Sequence, residues 1–348
     1  MPGKLYFDGM HGIGDNINQR CFIKALAQKG HEIWLKTHLP GIYAGISNLH
    51  FVHANSPLRT QKKSEQSSSA MFEREPPGIP RTRIFYGNGH LQSGSIFDAM
   101  EQQFGTAPAL MDLPSYTPAD IRIPAGKQVV VIRPTTERTE WHNSSRGPLN
   151  QHIDDVARRL AICGFHVISV ADVQEGKEWI PDAEPFAHQK FHHGELTIWQ
   201  MLALVERADI VLTGPCVIMH AALVYQRPMI CLAGDNGGNQ HHQKVTDPRC
   251  MDLSRVLFVY PDRYCHCQEM IHDCDKTITE LPEKVEGFIS AVYQQARRRK
   301  RFFHEIKSGL VWLPELGMGR YPVPKTRRMI KIIFPDIRNW PTRTSGGK

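Results

Sequence analysis

No apolar run in this 348-residue sequence approaches the ~18 residues that a membrane-crossing helix needs. Its opening, Met1-Pro2-Gly3-Lys4, leads straight into a strand-like Leu5-Tyr6-Phe7 and has no apolar core of a secretory signal. A cytoplasmic protein is therefore expected, peripheral at an inner membrane face at most. The patterns G-x-S-x-G, G-x-x-x-x-G-K-[ST] and H-E-x-x-H are absent. That argues against a nucleophile-elbow hydrolase, a P-loop NTPase and a zinc peptidase. A dinucleotide fingerprint fails at its third glycine, where Ile17 stands. There is no C-x-x-C pair among the eight cysteines, and with no secretory signal thiols are expected rather than disulfides.

Hydrophobic residues make up 41% and charged residues 22%, which supports a packed core and excludes wholesale disorder. At roughly 150 residues per domain the length suggests two domains. The net charge of +7 is unevenly spread: residues 296–348 hold 14 Lys/Arg against three acids, a net +11 that leaves the rest at −4. This C-terminal arm interleaves its charge with Phe302, Phe303, Trp312 and Trp340. It reads either as a solvated tail or as a grip on a polyanion such as DNA, an anionic membrane or a phosphorylated acceptor.

Along the chain, Leu5–Gly9 reads as a strand, Ile17–Lys29 as a helix stopped by Gly30, and His31–Lys36 and Leu49–Val52 as further strands. Residues 56–80, with Ser64–Ser69 and Pro76-Pro77-Gly78, carry no folding pattern and are expected as a mobile insertion. Order returns at Arg83–Tyr86 and in a helix over Ser95–Phe104. Pro108–Gly126 reads as an interdomain linker. Gln128–Ile132 then begins a second alternation: helix Gln151–Cys163, strand His166–Val170, helix Trp199–Arg207, strand Ile210–Leu212, helix Val217–Tyr225 and strand Met229–Leu232. The expected fold is α/β: a Rossmann-like domain over 1–122, a second over 123–295 and the basic arm from 296. Ligands are expected in the cleft between the two.

Five stretches carry chemistry. His11-Gly12-Ile13-Gly14-Asp15 joins a strand to a helix; its glycines admit an anion or sugar to backbone N–H groups, with Asp15 in the first turn. The competing reading of Asp15 is a helix N-cap. Arg133-Pro134-Thr135-Thr136-Glu137-Arg138, continuing to Arg146, follows a buried strand and offers guanidinium and hydroxyl partners for a diphosphate, or a polar surface loop with its arginines paired to Glu137 and Glu140. Gly214-Pro215-Cys216-Val217 opens a helix whose N–H groups suit a phosphate, with His220 one turn further in. Gly234-Asp235-Asn236-Gly237, followed by His241 and His242, is dense in hydrogen-bonding groups and poor in packing value, as binding loops are. Cys265, Cys267, His272 and Cys274 offer soft metal ligands within ten residues, without the usual two-residue gap. They read as structural thiols or as a zinc site.

Together these loops resemble glycosyltransferase family nine, the heptosyltransferase-like group of GT-B enzymes, over residues 4–290. The resemblance lies in Gly12-Ile13-Gly14-Asp15, in Val129–Arg146, in Gly194-Glu195-Leu196 and Ala208–Gly214, in Met219-His220-Ala221-Ala222-Leu223 with Arg227-Pro228, and in the Cys265–Cys274 stretch. Pro215-Cys216-Val217-Ile218 stands where the family has Asp-Ser-Gly, and the basic arm has no counterpart.

What the resemblance implies is an inverting, metal-independent transferase needing no cofactor beyond its nucleotide diphospho-sugar co-substrate. Asp15 is implied as general base beside an acceptor loop of His11, Gly12 and Gly14. Arg133, Thr135, Thr136, Arg138, Gly214, Pro215, Cys216, Val217, His220, Gly234, Asp235, Asn236 and Gly237 are implied on the nucleotide-sugar side. The acceptor is expected to be a hydroxyl on a phosphorylated glycan, a lipid or a modified DNA base. The alternatives are a GT-B nucleotide-sugar epimerase and a nucleic-acid-binding protein on a non-catalytic GT-B body.

Overall fold

The computed structural model describes residues 2–55, 71–237 and 239–292. The insertion residues 56–70 and the basic arm 296–348 lie outside the described residues. Met1–Phe288 form one compact unit, and a second begins at Ile289.

The first unit holds two parallel sheets. In the first, β1 (Lys4–Asp8) lies between β2 (Glu32–Thr37) and β5 (Arg81–Arg83), and β3 (Leu49–His53) and β4 (Phe72–Glu73) continue outward from β2. Tyr6 and Phe7, neighbours pointing to opposite faces, are both buried, as a doubly covered parallel strand requires. Part of the expected insertion is thus an edge strand: Phe72 and Glu73 pair with Phe51 and Val52. The ordered strand expected at Arg83–Tyr86 lies earlier, at Arg81–Arg83.

Helix α1 (Ile13–Gln28) starts four residues before the periodicity suggests and ends at Gly30, whose φ of 85° closes the turn. It is buried nearly all round, polar residues included, because it lies between the first sheet and a helix of the second half. Asn16 and Arg20 satisfy their polar groups within the fold, whereas both amide atoms of Asn18 and the Gln19 Nε2 are buried without a hydrogen-bond partner among the described residues. Asn16 accepts from the hydroxyls of Thr37 and Tyr43 and donates to the carbonyls of Met10 and Gly12. Arg20 donates to the carbonyls of Ile42 and Ala44 and pairs with Asp112 at 3.0 Å, which fastens the irregular segment after residue 105 along α1. Two more helices complete this half: α2 (Asn88–Ser93) and α3 (Ile96–Phe104), the latter opened by the capping box of Ser95 and Asp98.

The second sheet runs β10-β8-β6-β11-β12-β13, all parallel. In chain order the strands are β6 (Val129–Ile132), β8 (His166–Val170), β10 (Gln189–Phe191), β11 (Ile210–Thr213), β12 (Met229–Leu232) and β13 (Val256–Val259), with a separate ribbon of β7 (Glu137–Arg138) and β9 (Glu178–Trp179). Helices α4 (Asn150–Ile162), α5 (Ile198–Arg207) and α6 (Val217–Val224) connect them. The chain steps one way from β6 to β8 and the other way to β11. The loops leaving the carboxyl ends of β6 and β11 therefore diverge and leave a crevice, the switch point at which such sheets bind ligands. One apolar cluster runs through both halves, from Phe7 and Phe22 to Val131 and Met219, and Tyr6, Trp34 and Val52 form another.

Candidate active site

The crevice is a pocket lined by Arg133, Pro134, Thr135, Thr136, Arg138, Trp141, Asn143, Arg146, Gly147 and Pro148 from the loop after β6. Thr213, Gly214, Pro215 and Cys216 line it from the turn between β11 and α6. Cys216 is the N-cap of α6 and makes no side-chain cap, although its sulfur lies 3.1 Å from the Thr213 hydroxyl. The helix thus opens toward the pocket with first-turn N–H groups available to an anion.

The arginines divide by role. Arg133 pairs at 3.3 Å with Glu178, a residue 2% exposed, and donates to the Val170 carbonyl. Thr136 donates to the same carboxylate at 2.8 Å, and the Thr135 hydroxyl donates to the Pro148 carbonyl. Three of the groups expected at a diphosphate thus line the pocket while bonded within the fold, Arg133 and Thr136 to Glu178 and Thr135 to Pro148. Arg138 and Arg146 make no ion pair among the described residues. The Arg146 guanidinium lies 5.0 Å from the Trp141 ring centroid, and its Nε has no hydrogen-bond partner although buried. Burial draws its pKa below the usual guanidinium value, yet arginine stays charged in proteins. Two guanidiniums without an ion pair among the described residues therefore line the pocket onto which the N-terminus of α6 opens, an arrangement suited to an anion. Trp141, Asn143 and Glu178 were not among the expected site residues, and Arg146 was expected only as one arginine of its stretch. Arg146 stands at the end of a stretch whose three arginines look alike in sequence.

Across the cleft Asp15 lies at the third position of α1. The N-cap there is Gly12, so the capping reading of Asp15 does not hold. Its carboxylate accepts a 2.8 Å hydrogen bond from the Tyr86 hydroxyl. Burial raises the Asp15 pKa, against the hydrogen bond from Tyr86 and the charge of Arg146, which reaches it from the opposite half. Tyr86, also missed, comes from the loop after β5. His11 is exposed and stacks on His38 at 5.8 Å.

Gly14 marks where the halves touch: a Cβ there would sit 2.8 Å from the His220 ring. His220 is 9% exposed and its Nδ1 has no partner. Burial, with the nearby Arg146 charge, pulls its pKa down to about 3, so it is neutral. Neither His220 nor Val217 lines the pocket.

Nor do Gly234, Asp235, Asn236 and Gly237, expected to bind the nucleotide sugar. They brace the pocket wall from behind. The Gly234 and Asp235 amides donate to the carbonyls of Arg146 and Ser145, and Asn143 donates to the Gly237 carbonyl. The Asp235 carboxylate is buried and accepts the Cys265 amide at 2.6 Å. Beyond this brace, the ligand atoms of Cys265, Cys267, His272 and Cys274 all lie within 4.8 Å of one another. Three thiols and an imidazole in that compass fit a tetrahedral site for a soft or borderline ion.

No family model matches this chain, and no curated protein matches it in sequence. Solved structures do match in fold. The bacterial iron-containing dodecameric glycosyltransferase TibC from enterotoxigenic E. coli superposes with a TM-score of 0.55 at 13% identity, over 85% of this chain and 76% of that one. The iron-containing heptosyltransferase TibC in complex with ADP-D-beta-D-heptose gives 0.51 at 14%, over 85% and 78%. The E. coli ADP-heptose lipopolysaccharide heptosyltransferase II gives 0.50 at 10%, over 85% and 100%. The chain has the heptosyltransferase fold. In that fold the present chain sets its two free arginines on one wall of the cleft and its Tyr86-bound carboxylate on the other.

Proposed function

We propose that this chain is an inverting glycosyltransferase that moves a sugar from a nucleotide diphospho-sugar to a hydroxyl acceptor. The observation that carries the reading is the pairing of opposites across one cleft: Arg138 and Arg146, without an ion pair among the described residues, line the pocket, and the Arg146 charge reaches the buried Asp15 carboxylate from across it. Asp15 takes the proton of the acceptor hydroxyl as that oxygen attacks the anomeric carbon. The bond from that carbon to the diphosphate breaks, and its electron pair leaves with the diphosphate. Arg138, Arg146 and the N-terminus of α6 offset the growing charge, so this step needs no metal at the phosphates. Glu178 holds Arg133 and Thr136 in the loop that carries Arg138.

TibC is described as iron-containing, and the Cys265, Cys267, His272 and Cys274 group fits such an ion. None of these residues lines the pocket, which assigns an ion there no part in the transfer. The acceptor is anionic in this reading, the role to which the basic residues of 296–348 are suited.

The test is thermal stabilisation against a panel of ADP-, UDP- and GDP-sugars, with the bare diphosphates as controls. A donor at 100 times its Kd adds about 2.7 kcal/mol, or roughly 4 °C in midpoint at an unfolding entropy of about 2.1 cal/mol/K per residue. Arg146→Gln removes a charge-assisted contact of about 1.5–3 kcal/mol and weakens binding by at least about tenfold. A panel in which no nucleotide sugar raises the midpoint overturns the reading.

A further inference from the structure

We infer that the open face of Trp141 is a platform on which the base of the donor nucleotide stacks, so that the pocket holds its nucleotide by charge and ring contact and leaves the edge of the base unread. The cavity encloses about 70 Å³, whereas sites that enclose a whole small ligand run to about 300–1,000 Å³. It has room for phosphate-sized groups, and a nucleoside must lie on its rim. Trp141 lines the pocket and is 41% exposed, so it forms part of that rim.

The indole is held in place before any ligand arrives. Thr139–Trp141 form one tight 3-10 turn, and the Thr139 amide donates to the Lys177 carbonyl. The next residue, His142, pairs at 2.8 Å with Glu137 and meets the Trp179 ring at 5.8 Å. The Trp141 N–H donates to the Met270 sulfur at 3.1 Å, and the Arg146 guanidinium lies over the ring, 5.0 Å from its centroid. The polar edge and one face are thereby taken. The other face and the apolar rim are left to a planar partner, and exposed Met270 prolongs the ledge.

Arg146 links the two ends of the site. Its charge reaches Asp15, and its guanidinium covers Trp141. A diphosphate seated on Arg146 therefore has one end toward Asp15 and the other toward the indole. The reacting carbon must be at Asp15, so the transferred sugar takes that end and the nucleoside takes the other; to this extent the platform rests on the transferase reading. The neutral polar side chains lining the pocket are already engaged. Thr135 donates to the Pro148 carbonyl, Thr136 to Glu178 and Thr213 to the Gly214 carbonyl, while Asn143 donates to the Gly237 carbonyl and accepts the Arg146 amide. A site that reads a group by hydrogen bonds discriminates steeply; a stacking face tolerates every base, because each has a π surface.

The test titrates ADP, GDP and ribose 5-diphosphate, which is ADP without its base, into the full chain by calorimetry. Trp141→Ala is expected to weaken ADP by about 5- to 150-fold, the equivalent of the about 1–3 kcal/mol that one stacked base is worth. Ribose 5-diphosphate is expected to stay within about twofold, as for an independent site. Trp141→Phe, which keeps an aromatic face, is expected to recover most of the ADP affinity and to lose most of the quench of tryptophan emission that ADP causes in the wild type. ADP and GDP are expected to bind within about tenfold of each other. Equal weakening of ADP and ribose 5-diphosphate in Trp141→Ala would show that the indole only props Arg146, and overturns the inference. So does unchanged ADP affinity in that variant, or a preference between ADP and GDP beyond about 100-fold. Base-dependent binding of ADP by a chain that binds no nucleotide sugar keeps the platform and overturns the transferase reading; nucleotide-sugar binding indifferent to Trp141 does the reverse. A wild type that binds none of these diphosphates overturns both.

Discussion

The packing of Gly234 gives the sharpest test of how the pocket is built. A Cβ at that position would lie 2.3 Å from the Ser145 oxygen, 2.4 Å from the Gly147 oxygen and 2.8 Å from the Arg146 carbonyl carbon, all backbone atoms that no rotamer change can move. Ordinary carbon–oxygen contacts begin near 3.3 Å, so Gly234→Ala must part the two loops by about 1 Å. Overpacking of that kind costs about 1–3 kcal/mol, which lowers the melting midpoint by about 1.4 °C for each kcal/mol at this chain length. The displaced loop carries Arg146, whose carbonyl accepts the Gly234 amide at 3.0 Å. On the proposed transferase reading, losing its charge-assisted contact is expected to weaken nucleoside diphosphate binding, probed with ADP, by about 10- to 100-fold, the equivalent of about 1.5–3 kcal/mol. Gly89→Ala is the control: nothing lies within 4 Å of a Cβ there, it sits in α2, and the same substitution is expected to add about 0.5–1 kcal/mol. Calorimetric ADP binding and thermal melts of the two variants decide the matter. Equal behaviour of Gly234→Ala and Gly89→Ala would refute the close approach of the loops and, with it, the placement of Arg146.

Tyr86→Phe removes the hydrogen bond that opposes burial at Asp15, so the carboxyl pKa rises further. Because the base acts deprotonated, the acid limb of kcat/KM against pH moves upward; an unmoved limb removes Asp15 from the role. The same shift has a stability sign: native Asp15 holds its proton more tightly than the unfolded chain does, so its contribution falls as pH rises from the unfolded value through the folded one. His220 has the opposite sign. Its folded pKa of about 3 lies below the unfolded value near 6.5, so its contribution is complete above that value and is lost as pH falls toward 3, at up to about 1.4 kcal/mol per unit. Urea midpoints between pH 7 and pH 5 should drop in the wild type and drop less in His220→Asn; parallel curves would contradict the burial.

Much of the fold was legible because the strands that matter most are unbroken apolar runs. Val129–Ile132 and Met229–Leu232 are buried at every position, and only a doubly covered strand makes that pattern worthwhile. Helix ends were legible where a side chain or glycine marks them, as at Gly30 and Ser95. What escaped lacks such signals. Phe72–Glu73 and Gln189–Phe191 are edge strands of two and three residues, too short for any period to show. The first turn of α1 holds Ile13, Gly14, Asp15 and Asn16, poor helix formers held by tertiary contacts: Asn16 bonds across to Thr37 and Tyr43, and Gly14 is pressed against His220.

The site was legible by stretch and not by residue, and the reason is electrostatic. Arg133, Arg138 and Arg146 stand on one loop with the same chemistry, and nothing local separates them. What separates them is Glu178, 45 residues away from Arg133 in sequence and brought beside it by the β7–β9 ribbon. A buried carboxylate there demands a cation and takes the one nearest the end of β6. The other two make no ion pair among the described residues, and Asp15, the carboxylate across the cleft, is engaged by Tyr86. The same logic inverts the loop at 234–237. Its glycines and amides look like a binding loop because close approach and hydrogen bonding are what both uses require. Here the partner approached is the chain itself, the backbone of 145–147. A sequence names the groups able to meet a phosphate; which of them are already occupied is decided by residues that only the fold brings near.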